Sequence, residues 1–196
     1  MSSHRILKTV GALLLKETIN KRLLMTGLVL VTIAMGTLAQ KPVNDSGFLD
    51  SVTPAANLYR DDADAKKEIE AALKSAVATK KRVLLVFGAN WCYDCHVLDQ
   101  ALHQSEAGKI VLQSFLVVHV DIGEGEKNLD LVKHYKIPLE KGVPALAVLE
   151  RDGRLLYSSG QGEFEAARRM MKKDLIQFLR HWQTKNRPQR QNRRRP

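Results

Sequence analysis

Cysteine is scarce in this chain: two residues among 196, Cys92 and Cys95, separated by only Tyr93 and Asp94. Two cysteines cannot build a small scaffold held by several disulfides. They also fall short of a four-thiolate zinc site, unless histidines complete it. The pair is therefore best understood as one dithiol, able to open and close a single disulfide.

The middle of the chain has no excess of positive charge, although the net charge of the whole chain is +10. Residues 1–39 contain five basic and one acidic side chain, and residues 184–196 contain six basic and none acidic. Residues 40–183 contain twenty of each. Because the basicity lies at the two ends, the body of the protein offers no basic face of the kind that binds nucleic acid, and no such partner is expected.

Charge is also absent from residues 23–39, an apolar run of 17 residues, which is shorter than the ~20 that a typical spanning helix needs. Basic residues precede the run, and small side chains at Thr37 and Ala39 end it. This order is typical of a secretory signal peptide. We predict residues 1–39 to be a signal peptide or an N-terminal membrane anchor, with membrane association through residues 23–39 and the remaining chain outside the cytoplasm.

The rest of the chain divides by composition. Residues 40–60 contain Pro42, Gly47 and Pro54 with no clear periodicity, and we predict a linker there. Residues 184–196 contain no apolar side chain and are predicted to be a disordered basic tail. Residues 61–183 remain as one globular domain, in keeping with the 44% hydrophobic and 27% charged content of the chain.

One-sided apolar spacing indicates helices in this domain, and short apolar runs indicate strands buried on both faces. In chain order we predict a helix over 65–79, a strand over 83–87, a helix over 92–104, a strand over 116–120, a short helix capped by Asn128, strands over 145–149 and 155–159, and a helix over 165–183. A helical crossover makes the first two strands parallel, and a hairpin turn at Asp152-Gly153 makes the last two antiparallel. The predicted fold is α/β, with a mixed sheet of about four strands flanked by helices.

The two cysteines lie where the first strand passes into a helix. Their spacing puts both sulfurs within disulfide reach. The first cysteine lies at the helix N-terminus, where free N–H groups and the helix dipole stabilise a thiolate. Cys92 would attack a substrate disulfide, and Cys95 would then resolve the mixed disulfide.

The segment Val86-Phe87-Gly88-Ala89-Asn90-Trp91-Cys92-Tyr93-Asp94-Cys95 resembles the active-site segment of the thioredoxin family. Val143-Pro144, just before a strand, resembles the family's cis-proline loop, and the order of elements is similar over residues 65–183. The resemblance is closest to extracytoplasmic bacterial members of the family.

This resemblance implies a thioredoxin fold and a thiol–disulfide oxidoreductase in the periplasm or anchored in the inner membrane. It implies protein thiols or disulfides as substrates, a redox partner protein, and no dissociable cofactor or metal. Trp91 would support the site, Pro144 would be cis, and the Val143 backbone would hydrogen-bond to a substrate peptide.

Two features depart from the family pattern. Val86 stands where thioredoxins usually have a buried acid that assists proton transfer from the resolving thiol. Asp94 brings a carboxylate near the sulfurs, which would raise the thiol pKa, whereas a protonated His96 would lower it. The sequence leaves the direction of electron flow open.

Three other hypotheses fit parts of the pattern. Cys92, Cys95 and His96 form a Cys-X-X-Cys-His sequence, which also attaches c-type haem. The same three residues with His103 would supply four zinc ligands. Finally, the domain could be a non-catalytic binding or chaperone module with a structural disulfide.

Overall fold

The computed structural model describes residues 47–184. The predicted leader over 1–39, the start of the predicted linker and all but the first residue of the predicted tail lie outside this part of the chain. Within residues 47–184, no helix combines the length and the hydropathy that crossing a membrane requires.

The described residues form five α-helices and four strands, broadly in the predicted order. The helices are α1 (Ala65–Thr79), α2 (Tyr93–His103), α3 (Ser105–Ser114), α4 (Leu129–His134) and α5 (Lys172–Trp182). The strands are β1 (Arg82–Gly88), β2 (Phe115–Asp121), β3 (Ala145–Leu149) and β4 (Leu155–Ser158). Short 3-10 helices cover Leu139–Lys141 and Ala167–Arg169.

The four strands form one mixed sheet in the order β2-β1-β3-β4. Strand β1 pairs in parallel with β2 and antiparallel with β3, and β3 pairs antiparallel with β4. At the centre of the sheet, Leu85 lies between Val118 of β2 and Ala147 of β3. The predicted α/β fold with a mixed four-stranded sheet is confirmed.

Strand β1 is buried on both faces because its alternate side chains enter two separate apolar clusters. Leu84 and Val86 pack with side chains of α2, α3 and α5 on one face. Leu85 and Phe87 pack with side chains of α1 and α4 on the other. Full burial of such a side chain stabilises a fold by roughly 1.5–3 kcal/mol, so β1 is a rigid support for whatever follows its C-terminal end.

The helix predicted over 92–104 ends at His103 and is followed directly by a second helix, α3, which is not among the elements predicted from the sequence. Gln104 is extended, and its N–H bonds to the Ala101 carbonyl. A β-carbon on Gly108 would lie 2.7 Å from the His103 carbonyl carbon. Glycine therefore lets the first turn of α3 approach the end of α2 closely.

The helix predicted over 165–183 was wrong at its start, because α5 begins only at Lys172. Met170 and Met171 are extended. The Leu49 N–H donates to the Met170 carbonyl at 3.0 Å, and the Lys172 N–H donates to the Gly47 carbonyl at 2.8 Å. This strand-like pairing replaces the first helical turns.

The described part of the predicted linker, residues 47–60, packs against the domain. It has no helix or extended strand, as expected of a linker, but Leu49 and Tyr59 are buried. Leu49 joins the cluster between β1 and α5, and Tyr59 packs against the two cysteines. This segment therefore contributes to the core rather than merely connecting two parts.

Candidate active site

The two cysteines lie at the junction of β1 and α2 and form a disulfide. Their Cα atoms are 5.3 Å apart. Cys92 is the residue before the helix, and its Sγ accepts a hydrogen bond from the Cys95 N–H at 3.1 Å. Cys95 is wholly buried, whereas Cys92 retains 5% of its surface exposed. The outer sulfur is thus also the one that a helix N–H can stabilise as a thiolate.

The loop before β3 reaches the same sulfur. The Val143–Pro144 peptide bond is cis, as the resemblance implied. Cys92 Sγ lies 3.5 Å from the Val143 carbonyl oxygen. In the reduced protein, the Cys92 thiol can donate to that carbonyl. The structure therefore brings together Cys92, Val143 and Pro144, which lie far apart in the sequence.

Trp91 is the most prominent exposed apolar side chain at the site, with 56% of its surface accessible. Its indole Nε1 donates a hydrogen bond to the Gly123 carbonyl at 2.9 Å. This bond fixes the ring orientation without burying it. Trp91 thus presents an exposed apolar surface of fixed orientation immediately before Cys92.

Asp94 is buried and paired, not free in solvent. One carboxylate oxygen accepts the Arg168 backbone N–H at 2.8 Å, and the other lies 3.3 Å from the Arg168 guanidinium. The guanidinium also lies 5.9 Å from the centre of the Tyr93 ring. Arg168 therefore contacts both residues between the cysteines and offsets the charge of Asp94.

His96 is buried on α2 and donates from Nε2 to the Asn90 carbonyl at 2.8 Å. That hydrogen bond occupies the ring nitrogen that the haem hypothesis would assign to iron. For zinc, no three histidine, cysteine, aspartate or glutamate side chains in residues 47–184 are grouped as ligands. His103 contacts Asp99 on its own helix.

Tyr59 is a site residue that the sequence analysis missed. It belongs to the same apolar cluster as Cys92 and Cys95. Asn90, in the turn before the cysteines, holds it in place: the Tyr59 N–H donates to Asn90 Oδ1 at 2.9 Å, and Asn90 Nδ2 donates to the Tyr59 carbonyl at 2.6 Å. No local signal marked Tyr59, because its environment is built by residues about thirty positions away.

A histidine–carboxylate pair lies beside the position where the family acid is replaced by Val86. Val86 is paired across the sheet with His119 of β2. His119 Nε2 lies 3.0 Å from Asp99 Oδ1, and its ring meets the Tyr59 ring edge-on at 5.3 Å. Burial raises the pKa of Asp99, but His119, together with His103 and His96, outweighs this and holds that pKa below its usual range.

Comparisons with known proteins agree with this geometry. Residues 64–150 match a family model described as thioredoxin-like. Thiol:disulfide interchange protein DsbD 2 of Pseudomonas aeruginosa is 26% identical over 118 residues. That match covers 59% of this chain and 18% of DsbD 2, so the chain spans about a fifth of the length of this curated relative.

A solved structure gives the stronger match. The disulphide isomerase from Xylella fastidiosa Temecula1 is 36% identical, with a TM-score of 0.60. The match covers 63% of this chain and 95% of the isomerase chain. With its mixed sheet, its Cys-X-X-Cys pair at a helix start and its facing cis-proline loop, this chain belongs to the thioredoxin-like family.

Proposed function

We propose that this protein is a thiol–disulfide oxidoreductase that exchanges disulfides with protein substrates through Cys92 and Cys95. The observation that carries the proposal is the asymmetry of the pair. Cys92 is the outer sulfur, at a helix N-terminus and beside the Val143 carbonyl, and Cys95 is enclosed behind it. A nucleophile needs access to the substrate and thiolate stabilisation, whereas a resolving thiol has only to reach the sulfur of the mixed disulfide and can stay enclosed.

In the reducing direction, the Cys92 thiolate attacks one sulfur of a substrate disulfide. A Cys92–substrate bond forms, the substrate bond breaks, and the released substrate thiolate takes up a proton. The Cys95 thiolate then attacks Cys92 Sγ, which forms the Cys92–Cys95 disulfide and releases the second substrate thiolate. Two electrons pass to the substrate. The same steps in reverse oxidise a dithiol, and a redox partner protein resets the pair in either direction.

Two features beside Cys92 suit a polypeptide substrate. The Val143 backbone precedes a strand and borders the sulfur, so it can pair with an extended substrate chain. Trp91 offers an exposed aromatic surface whose orientation is already fixed by Gly123. Aromatic side chains of this kind commonly anchor protein contacts.

The reaction is proposed to take place outside the cytoplasm, in the periplasm or at the inner membrane. The support is the leader predicted over residues 1–39, which lies outside the described residues. Membrane and periplasmic fractionation of the full chain tests this part: recovery in the cytoplasm alone would contradict it.

Insulin reduction with dithiothreitol as the electron source tests the activity. The wild-type chain should accelerate insulin precipitation, and Cys92→Ser should abolish the acceleration. The alternative, a binding or chaperone module with a structural disulfide, predicts equal precipitation rates for the two proteins. Haem attachment would instead add a strong visible absorption band to the purified protein.

A further inference from the structure

The Tyr59 hydroxyl is a buried polar group without a hydrogen-bond partner among the described residues. The side chain is 1% exposed. A buried hydroxyl without a partner costs free energy, and a native fold seldom keeps one without a reason. The described structure holds the cysteines as a disulfide, so a partner that exists only in the reduced state is one such reason.

The hydroxyl lies close to the sulfur of Cys95, in the same apolar cluster. A β-carbon built on Gly88, at the end of β1, would overlap both the Tyr59 hydroxyl and Cys95 Sγ. The two groups therefore border the same small space, which stays open because Gly88 has no side chain. The two hydrogen bonds between Asn90 and the Tyr59 backbone hold the ring in this place.

The surroundings of Tyr59 keep it protonated. Burial raises the pKa of its phenol far above the usual range, and the carboxylates of Asp99 and Asp121 raise it further. The other titratable groups nearby are His119, which meets the Tyr59 ring edge-on, and His96 and His103, whose charges act on Asp99. A phenol held neutral is a hydrogen-bond donor and not a general base.

We propose that the Tyr59 hydroxyl donates a hydrogen bond to the Cys95 thiolate and so activates the resolving cysteine, at a site where Val86 replaces the family's buried acid. The inference rests on the proposed oxidoreductase function. Tyr59 touches a reacting atom, and its contribution is confined to states in which the Cys95 sulfur carries negative charge.

The step involved is the second half of the exchange. The Cys95 thiolate, with the Tyr59 O–H directed at its sulfur, attacks Cys92 Sγ of the mixed disulfide. The Cys92–Cys95 bond forms, the Cys92–substrate bond breaks, and the substrate leaves as a thiolate. The proton that Cys95 gave up is balanced by the proton that the substrate thiolate takes up, and Tyr59 keeps its own proton throughout.

This arrangement also biases the redox equilibrium. A disulfide sulfur accepts hydrogen bonds weakly, whereas a thiolate accepts them strongly. The Tyr59 hydroxyl is therefore satisfied in a reduced protein whose Cys95 is a thiolate and unsatisfied in the oxidised one. It should favour the dithiol form and shift the midpoint potential toward the oxidising end.

Tyr59→Phe removes the hydroxyl and keeps the ring, and Tyr135→Phe is the matched control, since Tyr135 is buried in a different cluster. In a Cys92→Ser background, Cys95 is the only thiol, and its pKa follows from the pH dependence of thiolate ultraviolet absorbance. Tyr59→Phe should raise that pKa by about one unit or more. Tyr135→Phe should leave it unchanged.

The midpoint potential of the intact pair, measured in glutathione buffers, gives a second readout that does not depend on the Cys92→Ser protein. At a pH at which Cys95 of the reduced protein is a thiolate, Tyr59→Phe should shift it by about 30 mV or more toward the reducing end, which is a tenfold change in the equilibrium constant. An unchanged pKa together with an unchanged potential would overturn the inference. If the wild-type chain fails to reduce insulin, the proposed function fails first. If the wild-type chain reduces insulin, and Tyr59→Phe has the same Cys95 pKa and the same midpoint potential as the wild type, only the role of Tyr59 fails.

Discussion

Arg168 holds the Asp94 carboxylate from two sides, with its backbone N–H at 2.8 Å from one oxygen and its guanidinium at 3.3 Å from the other. Asp94 lies between the two cysteines, so its charge bears directly on the stability of the Cys92 thiolate. The partner comes from the 3-10 helix Ala167–Arg169, 74 positions along the chain. The redox behaviour of the site is therefore set partly by a segment outside the cysteine motif.

Arg168→Ala should make the disulfide more stable. The substitution removes the guanidinium but keeps the backbone bond, which leaves the Asp94 charge less compensated. A negative charge near a thiolate raises the thiol pKa. We expect a rise of about half to one unit for Cys92 and a midpoint potential lower by about 15–30 mV. The measurements are thiolate absorbance against pH and equilibration with glutathione.

Arg169→Ala is the control, because it alters the neighbouring exposed residue of the same 3-10 helix. It should leave both values unchanged. Equal shifts in the two variants would show that the helix, and not the Arg168–Asp94 pair, sets the potential.

Asp99→Asn should remove an acid-sensitive part of the stability. The pKa of Asp99 is raised by burial but lowered overall by His119 together with His103 and His96, so folding favours its charged form. Such a group stabilises the fold above its unfolded pKa of about 4, and this contribution disappears as the pH falls through the lower folded value. Urea unfolding at neutral pH should show a loss of about 1 kcal/mol, a modest value because 22% of the side chain is exposed.

The difference between Asp99→Asn and the wild type should shrink toward zero below about pH 4. A difference that stays constant across this range would mean that packing, and not the charge of Asp99, accounts for the loss. Glu140→Gln, an exposed carboxylate substitution, serves as the reference for general effects of charge removal.

Arg82→Ala should destabilise the fold without altering the redox chemistry. The Arg82 guanidinium bonds to Glu150 beyond the end of β3 and donates to the Trp182 carbonyl at the end of α5. Both ionic side chains are about four-fifths buried, so removal of Arg82 leaves Glu150 Oε2 without its partner, while Oε1 keeps its contacts with Arg151. We expect a loss of roughly 1–3 kcal/mol in urea unfolding. Arg154→Ala, at an exposed position, should cost far less, and comparable losses would contradict this account.

Trp91→Ala should weaken the use of protein substrates more than that of small disulfides. The exposed ring is proposed to contact the substrate chain, and loss of one such contact commonly costs about tenfold in affinity. We expect kcat/KM for insulin to fall about tenfold, while the rate with a small aromatic disulfide stays near the wild-type value. Trp91→Phe, which keeps most of the apolar surface, should be intermediate. Equal losses on both substrates would instead mean that Trp91 positions the cysteines.

Most of the fold follows from local patterns, because the apolar runs of β1, β2 and β3 and the amphipathic spacing of α1 are local properties. The errors arose where distant segments compete with local preference. Met170 and Met171 have helical neighbours, yet the Met170 carbonyl accepts from the Leu49 N–H and Met171 forms a β-bridge with Phe48. Asn128 precedes α4 as expected, but its side chain bonds to the Asp121 carbonyl and does not cap the helix.

The residues of the candidate site also divide into those marked by a local sequence pattern and those placed there only by the fold. The cysteine motif and Val143-Pro144 are short sequence patterns, so they could be identified without a structure. Tyr59 and Arg168 carry no such pattern. Tyr59 is tied to Asn90, 31 positions away, and Arg168 to Asp94 over a longer separation. Their contribution exists only once the chain has folded, and the sequence alone gave no reason to choose these two among the tyrosines and arginines.

The most direct test of the central claim is the capture of a substrate by Cys95→Ser. Without a resolving thiol, the Cys92 thiolate should form a stable mixed disulfide with a protein substrate that contains a disulfide bond. Mass spectrometry should place the mixed disulfide at Cys92. Reduction with dithiothreitol should release the substrate, and Cys92→Ser should capture none. If Cys95→Ser forms no mixed disulfide under conditions in which it is folded and its Cys92 is reduced, Cys92 is not the nucleophile and the account is contradicted.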